Sequence, residues 1–281
     1  MDNSDRLSPV RYFPGVRRVD TRKSKQSQTG VAAGTQAGKG AAPRYFACHY
    51  CDLQEICADV SRRSNIPGIA GVIEHPRPYH RGDYLFRQGD PVRYFYVVNS
   101  GITKQFITTS DGTEQVVNFT FTGESVSLDY MEGGHHNSNV MALDTTSVCA
   151  IPVSRLNGYK DLKAAVTSHL LQYATTEIAR KHELQQLIGQ GSAENKLAYF
   201  ILDMASRLER TGHPAECVIL QMSRHDIANY LCLADETVSR LFSKFSEWHI
   251  LKVDKKRVQI TDLDTLRTVA NTRRHSLSAS A

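Results

Sequence analysis

Three of the six cysteines in the chain lie close together, in the stretch FACHYCDLQEICAD. Cys48, Cys51 and Cys57 have the spacing CxxCx5C, in which two thiolates approach one metal centre from a single turn and the third returns after a short loop. This spacing alone is compatible with an iron-sulfur cluster, a zinc site or a redox-active CxxC pair. Clustered thiols favour a ligand set over three unrelated cysteines, and such a set needs a fourth ligand from elsewhere in the chain.

A second pair of possible metal ligands, His135 and His136, lies in the sequence GGHHN. A cupin-like oxygenase could use such histidines. Neighbouring residues on a strand point to opposite faces, however, so a polar loop is the favoured interpretation. Cys217 and Cys232 have no partners at ligand spacing and are interpreted as ordinary thiols.

The composition indicates the setting in which these side chains must be positioned. With 281 residues, of which 41% are hydrophobic, the chain can form two folded domains. The absence of a long apolar run and of an apolar signal core predicts a soluble, cytoplasmic protein without a membrane segment. In the cytoplasm thiols stay reduced and remain available to bind metal.

The positive charge of the chain is concentrated near its start. The formal net charge is +5, and residues 1–45 contain nine Lys or Arg against three Asp, a local excess of +6. The Gly-, Ala-, Ser-, Thr- and Gln-rich composition predicts a disordered basic arm over residues 1–45. The cysteine-rich loop then occupies residues 46–67.

Residues 68–156 change to short strand-forming segments separated by glycines. Turn signals at Gly82, Gly89, Gly101 and Gly123 belong to a series that recurs every seven to twelve residues. The intervening runs predict strands over residues 94–99, 102–109, 114–121, 139–143 and 148–153. Short strands with regular turns indicate a β-roll of the jelly-roll type, a fold that can hold a small ligand or serve as a rigid core.

A long helix without Pro or Gly is predicted over residues 162–188, within a segment that spans residues 157–191. At 1.5 Å per residue this helix is about 40 Å long, more than one small domain can cover. Its apolar residues recur at spacings typical of packing against a partner helix. We therefore predict a homodimer whose interface contains Leu162, Val166, Leu170, Tyr173, Ile178, Leu184 and Ile188. Packing of this stripe against the chain's own roll is the alternative.

The C-terminal part, residues 192–281, contains the pattern of a helix-turn-helix motif. Ser223 is placed to cap a short helix, a tight turn follows at residues 232–234, and Asp235 is placed to cap a second helix. The N-terminal half of such a second helix enters the major groove of double-stranded DNA. The side chains predicted to contact DNA from this helix are Glu236, Thr237, Ser239, Arg240 and Lys244.

A β-hairpin wing follows the motif, with strands predicted over residues 250–253 and 257–260. Lys255, Lys256 and Arg257 at its turn are predicted to contact backbone phosphates. The complete pattern of a roll, a long helix and a winged helix-turn-helix indicates an α+β DNA-binding protein and not an enzyme.

With these parts in this order, residues 46–266 resemble the CRP/FNR family of transcription regulators, and most of all its oxygen-sensing FNR branch. The stretches DGTEQVVNFTFTGES, GGHHNS and ETVSR look similar to that branch. The resemblance implies a cyclic-nucleotide-binding-like roll, a dimerisation helix and a winged helix-turn-helix domain. Cys149, in MALDTTSVCAIPV, looks like the late cysteine of the branch. The resemblance therefore implies one 4Fe-4S cluster per subunit, held by Cys48, Cys51, Cys57 and Cys149.

The resemblance also implies how such a protein works. Without oxygen the cluster favours the dimer, which binds palindromic promoter sites with TTGAT-like half-sites through Glu236, Ser239 and Arg240. The bound dimer contacts RNA polymerase and activates, or at some promoters represses, genes of low-oxygen metabolism. After Gly123 and Glu124 the sequence continues Ser-Val-Ser, without the Arg-Ser pair that binds nucleotide phosphate in the CRP branch. No cyclic nucleotide is therefore expected.

Two positions depart from the FNR pattern, and three alternative functions stay open. Asp235 precedes Glu236 where the branch has a small apolar residue, and Lys181 stands where it has an acidic one. A regulator of the same fold with zinc at the four cysteines would bind DNA in air. A regulator with a small-molecule effector in the roll would respond to that molecule without iron. A cupin-like oxygenase that uses His135 and His136 would show turnover.

Overall fold

The computed structural model describes residue 51 and residues 72–129, 134–158, 160–212 and 214–271. The predicted basic arm, and the predicted cysteine-rich loop apart from Cys51, lie outside these residues. In chain order the elements are β1 (Tyr84–Phe86), β2 (Tyr94–Ser100), β3 (Ile102–Thr108), β4 (Glu114–Phe121), β5 (Asn139–Ala142), β6 (Ser147–Pro152), α1 (Val153–Gly158), α2 (Lys160–Gln190), α3 (Ala193–Glu209), β7 (Cys217–Ile219), α4 (Arg224–Leu231), α5 (Asp235–Glu247), β8 (Leu251–Asp254), β9 (Arg257–Ile260) and α6 (Leu263–Asn271).

The first six strands form the predicted roll. Their pairings are antiparallel, with one sheet in the order β1-β5-β3-β4 and a ribbon made of β2 and β6. Gly101 connects β2 to β3 with a φ of +97°, and a Cβ atom there would lie 2.6 Å from the carbonyl oxygen of Thr145. Only glycine fits this turn without strain. The prediction misses β1, because three residues carry too little alternation to be recognised.

Two apolar clusters lie on opposite faces of the β2–β6 ribbon, because successive side chains of a strand point to opposite sides. The inner cluster consists of Leu85, Phe86, Val98, Val126, Val140, Ala142 and Val148. The outer cluster consists of Val72, Phe95, Val97, Ile151, Leu156, Val166 and Leu170. Since the last two residues belong to α2, the long helix begins as part of the core of the roll.

Helix α2 contains 31 residues, about 46 Å at 1.5 Å per residue. Val166 and Leu170 are fully buried in the outer cluster of their own chain. The roll therefore covers that part of the apolar stripe, as in the alternative interpretation, and the dimer interface itself stays a prediction. Leu171 and Ile178, seven residues apart, are each 54% exposed. This spacing is typical of a helix-pairing seam, and the exposed apolar face of α2 combines Ile178 of the predicted stripe with Leu171, which the prediction did not include.

The other predicted interface residues have varied environments. Leu184 is buried within the chain, and Ile188 is half-buried. The hydroxyl of Tyr173 donates a hydrogen bond of 3.1 Å to the carbonyl of Ser125 in the roll. The side chain of Leu162 lies outside what the structure describes. Among the members of the predicted set whose side chains the structure describes, Ile178 is the one with a mostly exposed apolar side chain.

The C-terminal elements form the predicted winged helix-turn-helix domain. Helix α3 begins at a capping box, in which the Ser192 hydroxyl accepts from the Asn195 amide at 3.2 Å and the Asn195 side chain accepts from the Ser192 amide at 2.8 Å. Helix α6 packs against α3, and β7, β9 and β8 form an antiparallel sheet. The prediction does not include β7 and α6. Rings of Phe119, Phe200 and Tyr230 contact one another and join β4, α3 and α4.

Candidate functional site

Two of the four predicted cluster ligands lie in the described part of the chain, whereas Cys48 and Cys57 fall outside it. Cys149 pairs across the ribbon with Val97, whose side chain belongs to the outer cluster. Directly opposed residues of an antiparallel pair share a face, so Cys149 lies on the outer face. Cys51 packs against the same outer cluster. Both thiols are thus half-buried on one face of the β2–β6 ribbon.

His75 is a neighbour of Cys149 that sequence reasoning missed. Two backbone hydrogen bonds of 2.8 and 2.9 Å pair Glu74 with Ala150, so His75 lies opposite Cys149 along the edge of β6. The His75 Nδ1 atom is 3.9 Å from the Cys149 sulfur. No signal in the sequence relates residues so far apart, because the strand pairing alone brings them together.

The predicted donor set consists of thiols, whose chemistry suits a metal centre. Among the described residues no group of three or more His, Cys, Asp or Glu side chains could hold a metal ion, and two predicted ligands lie elsewhere. Cys51 and Cys149 nevertheless share one apolar-lined face, which is the arrangement that a joint ligand set requires. Thiolates suit both iron-sulfur clusters and zinc, and an adjacent imidazole can bind metal or donate to a ligand sulfur.

The helix-turn-helix consists of α4 and α5. The Ser223 hydroxyl caps α4 by accepting from the Asp226 amide at 3.0 Å, and Cys232 ends the helix with a φ of 52°. Val238, Leu241, Phe242 and Phe245 of α5 are buried. The opposite side exposes Asp235, Glu236, Ser239 and Arg240, which we call the recognition surface, while Thr237 is half-buried. The face that a helix-turn-helix presents to a major groove is therefore available for contact.

The predicted cap of α5 is wrong. The N-cap residue is Ala234, which provides no side-chain hydrogen bond, and Asp235 is the first residue of the helix. The Asp235 carboxylate instead lies against the ring of His225 on α4, with Nδ1 3.0 Å from Oδ2 and 3.3 Å from Oδ1. The side chain thus connects the two helices of the motif.

The predicted basic contacts differ in how accessible they are. Lys244 forms an ion pair of 2.8 Å with Glu194 of α3 and lies over the ring of Trp248, so its ammonium group is engaged within the chain. The Lys256 ammonium donates to the Gln221 side chain at 2.8 Å. Lys255, with a φ of 52°, and Arg257 are exposed at the tip of the wing.

A cluster of charges, most of them buried, joins the roll to α3. We call Glu124, Arg180, Asp203, Arg207 and Arg210 the junction cluster. Arg207 donates to both carboxylate oxygens of Glu124, with Nε 2.9 Å from Oε1, and Arg210 donates to Oε1 at 2.8 Å. Burial alone would raise the pKa of Glu124, but the two guanidinium groups hold it below its ordinary value.

The junction cluster borders a cavity of about 400 Å³ between the roll, α2 and α3. Glu124, the residue that follows Gly123, projects into this region with its carboxylate already bound by Arg207 and Arg210. A ligand that used Glu124 would have to displace both arginines. The geometry is in line with the expectation that no cyclic nucleotide binds, which stays a prediction.

A second set of contacts fixes α4 on the roll. The Lys104 ammonium of β3 is 2.9 Å from the Asp226 carboxylate. The Asn229 side chain accepts from the Val116 amide at 2.6 Å and donates to the Glu114 carbonyl at 2.7 Å. Lys181 of α2 donates to the Val117 carbonyl of the same strand, β4. The helix-turn-helix domain is thus held on the roll through β3 and β4.

The two adjacent histidines do not converge on a common site. His136 is buried, stacks on Phe86 with 3.6 Å between ring centroids, and has Nδ1 3.0 Å from the Asp129 carboxylate. His135 is exposed and forms a backbone bridge with Pro91. This geometry favours the structural interpretation over the oxygenase alternative.

Family models match both folded parts of the chain. The model of the cyclic nucleotide-binding domain matches residues 76–159, and that of the Crp-like helix-turn-helix domain matches residues 195–269. Among the helices that the structure describes, α2 included, none has the length and apolarity needed to cross a membrane.

The chain is also similar to characterised proteins over most of its length. It is 33% identical to transcriptional activator protein anr of Pseudomonas aeruginosa over 216 residues, 76% of this chain and 88% of the relative. It is 30% identical to the fumarate and nitrate reduction regulatory protein of Escherichia coli over 224 residues, 79% of this chain and 90% of the relative. The structure of FixK2 from Bradyrhizobium japonicum matches with a TM-score of 0.64 and 26% identity, covering 75% of this chain and 100% of that one.

Proposed function

The chain belongs to the CRP/FNR family of transcription regulators, and from that premise we propose that it is an oxygen-responsive member with an iron-sulfur sensor. Regulators of this family bind DNA and typically function as dimers. The proposed sensor is one 4Fe-4S cluster per subunit, held by Cys48, Cys51, Cys57 and Cys149. The observation that supports it is the position of Cys51 and Cys149 on one face of the β2–β6 ribbon.

The outer cluster offers a route from the cysteines to the dimerisation helix. Cys51 packs against the same cluster that contains Val166 and Leu170 of α2. A bound cluster supplies an oxygen-labile crosslink between the cysteine-rich loop and the roll. When that crosslink is absent, Cys51 is no longer held against the outer cluster, and the packing that positions α2 weakens. Leu171 and Ile178, on the exposed face of α2, then shift away from the dimer-forming arrangement.

The recognition surface is proposed to contact palindromic promoter DNA. Glu236 accepts a hydrogen bond from a cytosine amino group, Arg240 donates to guanine O6 and N7, and Ser239 contacts a base or phosphate. Two such helices about 34 Å apart in a dimer match successive major grooves, with TTGAT-like half-sites. Lys255 and Arg257 of the wing contact phosphates.

The names of the relatives favour a regulatory outcome of the same kind. One is called a transcriptional activator and another a fumarate and nitrate reduction regulator. We propose that the DNA-bound dimer contacts RNA polymerase and activates, or at some promoters represses, genes of anaerobic or low-oxygen metabolism.

The decisive test is the metal content of the protein after strictly anaerobic purification. We expect about four iron and four acid-labile sulfide per chain, a visible band that bleaches in air, and DNA binding that falls with it. Cys149→Ser should lose iron and DNA binding together, whereas Cys217→Ser, a matched change at a thiol outside the ligand set, should keep both. Zinc in place of iron, with DNA binding indifferent to air, would contradict the oxygen sensor and retain the DNA-binding regulator.

A further inference from the structure

The pair formed by His225 and Asp235 is the feature of the DNA-binding domain that the family assignment leaves without a role. His225 is the second residue of α4, and Asp235 is the first residue of α5. Two distances, 3.0 and 3.3 Å, place the His225 Nδ1 atom against both oxygens of the Asp235 carboxylate. Both side chains are more than half exposed, 72% for His225 and 55% for Asp235. An exposed pair of this kind contributes little to stability, which leaves room for a role in recognition.

The position of Asp235 brings its carboxylate to the edge of the base-contacting face. Asp235 and Ser239 are four residues apart and therefore lie on the same side of α5, beside the side that carries Glu236 and Arg240. Since the N-terminal residues of a recognition helix contact base edges, Asp235 would meet the base pair next to the one that Glu236 contacts. A carboxylate is an acceptor without donors, so it suits an amino group in the major groove.

His225 determines where that carboxylate points. Ala234 caps α5 without a side-chain hydrogen bond, so the amide groups of the first turn lack a side-chain cap. An aspartate at the start of a helix readily turns back to bind such amides. The His225 ring holds the Asp235 side chain against α4 instead. The carboxylate has about four lone-pair sites, and those not used by His225 remain open to DNA.

We propose that Asp235 is a specificity-determining residue that accepts a hydrogen bond from the N4 amino group of a cytosine, at the base pair flanking the one contacted by Glu236. His225 is its positioning residue. The inference rests on the proposed function in one respect, that α5 enters the major groove. At the position of Asp235 the FNR branch has a small apolar residue, which offers no hydrogen-bond acceptor. Asp235 would therefore add a base preference that this branch lacks.

The test measures binding of the anaerobically purified full-length protein to a duplex library. The library has TTGAT-like half-sites with randomised flanking pairs, followed by titrations with the four single-pair duplexes. The parent should prefer a C·G pair over the other three by about 5- to 140-fold at the Asp235 position. Asp235→Ala should remove that preference and leave the preferences due to Glu236 and Arg240 unchanged. Asp235→Asn should move it towards A·T, because an amide pairs with adenine N6 and N7.

His225 is tested by loss and rescue. His225→Ala should reduce the same preference several-fold, and His225→Gln, whose amide can still donate to the carboxylate, should restore most of it. A role confined to stability would change the melting temperature and the affinity for every duplex alike. The matched control is Glu247→Gln, a carboxylate-to-amide change at the opposite end of α5, which should leave every base preference intact.

The outcomes separate this inference from the proposed function. If the parent selects bases through Glu236 and Arg240 while Asp235→Ala leaves the flanking preference unaltered, the role of Asp235 is refuted and the DNA-binding function stands. If the parent selects no duplex under any condition, the proposed function fails first. An equal loss of preference in His225→Ala and His225→Gln would refute the positioning role of the ring.

Discussion

The junction cluster and the recognition surface use the same side-chain chemistry in opposite ways. Arg207 is 4% exposed and donates to Glu124, and Asp203 lies within 3.6 Å of its guanidinium group. Arg240 and Glu236 are exposed, and in the described structure neither takes part in an ion pair. When the partners of a charge lie within the chain, as in the junction cluster, the ion pairs fix the roll and the C-terminal domain relative to each other. Charges left without such partners are available to a ligand, which in the proposed function is DNA.

Burial determines this difference in role. Removing one partner of a buried ion pair leaves an uncompensated charge, which costs several kcal/mol. The same change on an exposed helix face costs almost no folding free energy, because water replaces the partner. Substitutions in the junction cluster should therefore change stability, whereas substitutions in the recognition surface should change DNA selectivity alone.

The largest effect is expected for Arg207→Ala. The change leaves the Glu124 carboxylate buried with Arg210 as its remaining cationic partner, so the free energy of unfolding should fall by about 3 to 5 kcal/mol. Denaturant titration of the full-length protein measures this loss. Arg210→Ala removes a guanidinium from the same carboxylate, but 59% of that side chain is exposed, so its cost should be about 0 to 1 kcal/mol. Equal losses in both variants would contradict the role assigned to burial.

The same pair predicts a pH dependence with a definite sign. The folded state holds the pKa of Glu124 below its ordinary value of 4.5, despite the opposing effect of burial. The stability that the pair contributes is therefore complete above about pH 4.5 and is lost as the pH falls through the lowered pKa. In Arg207→Ala the carboxyl becomes easier to protonate, so the gap in unfolding free energy between parent and variant should narrow from about pH 7 to about pH 4. If the difference in unfolding free energy stayed constant over this pH range, protonation of Glu124 would not be the cause of the pH dependence.

Arg240→Ala is the counterpart on the recognition surface. Loss of a bidentate contact to guanine should reduce discrimination at one base pair by about 1 to 3 kcal/mol. The free energy of unfolding should stay within about 0.5 kcal/mol of the parent. Titrations against duplexes that differ at single positions, together with denaturant curves, test both parts. If Arg240→Ala destabilised the protein and left base selectivity unchanged, Arg240 would act in folding and not in base recognition.

Lys181 lies between these two extremes, and its titration measures the cost of burying a single cation. Burial first, and then repulsion from Arg180, lower the pKa of Lys181 to about 8 from its ordinary 10.5. The unfolded chain therefore binds more protons between pH 8 and pH 10.5, and stability should rise across that window, by about 1 to 2 kcal/mol after screening. Lys181→Met should flatten this rise, whereas Lys252→Met, at an exposed lysine, should preserve it. Denaturant unfolding at several pH values tests this. The prediction is contradicted if the unfolding free energies of parent and Lys181→Met change with pH in the same way.

The sequence predicts local structure well and tertiary partners poorly in this chain. Strands β2 to β6 lie within one residue of their predicted bounds, and Ser223 caps a helix as expected, because alternation and capping act over a few residues. The burial of Val166 and Leu170 depends on which surface the roll presents to α2, and a helical stripe does not record that choice. The stripe therefore contains residues that pack on the roll as well as Ile178, which is exposed.

The candidate site shows the same division. Alternation within β6 predicts that the side chains of Cys149 and Val148 point to opposite faces of the strand. The proximity of Cys149 to His75 depends instead on the backbone bridge between Glu74 and Ala150, which are far apart in sequence. Asp235 looks like a helix cap from its position before the apolar pattern of α5. His225 on the neighbouring helix draws its carboxylate away from that role. Long-range contacts of this kind fix the direction of a side chain, which spacing in the sequence leaves undetermined.

The smallest predicted effect concerns the wing, where an exposed charge is expected to contact phosphates and no base. Lys255 has a φ of 52°, so Lys255→Asn removes its charge with a residue that tolerates this conformation, and no backbone strain complicates the result. Affinity should fall by a similar factor for every duplex, and the slope of log affinity against log salt should shrink by about one for each phosphate that no longer has a cationic partner. Lys163→Gln, an exposed lysine on α2, should leave the slope unchanged. A change in base preference from Lys255→Asn would mean that the wing contributes to selectivity. Selectivity would then not be confined to the recognition surface.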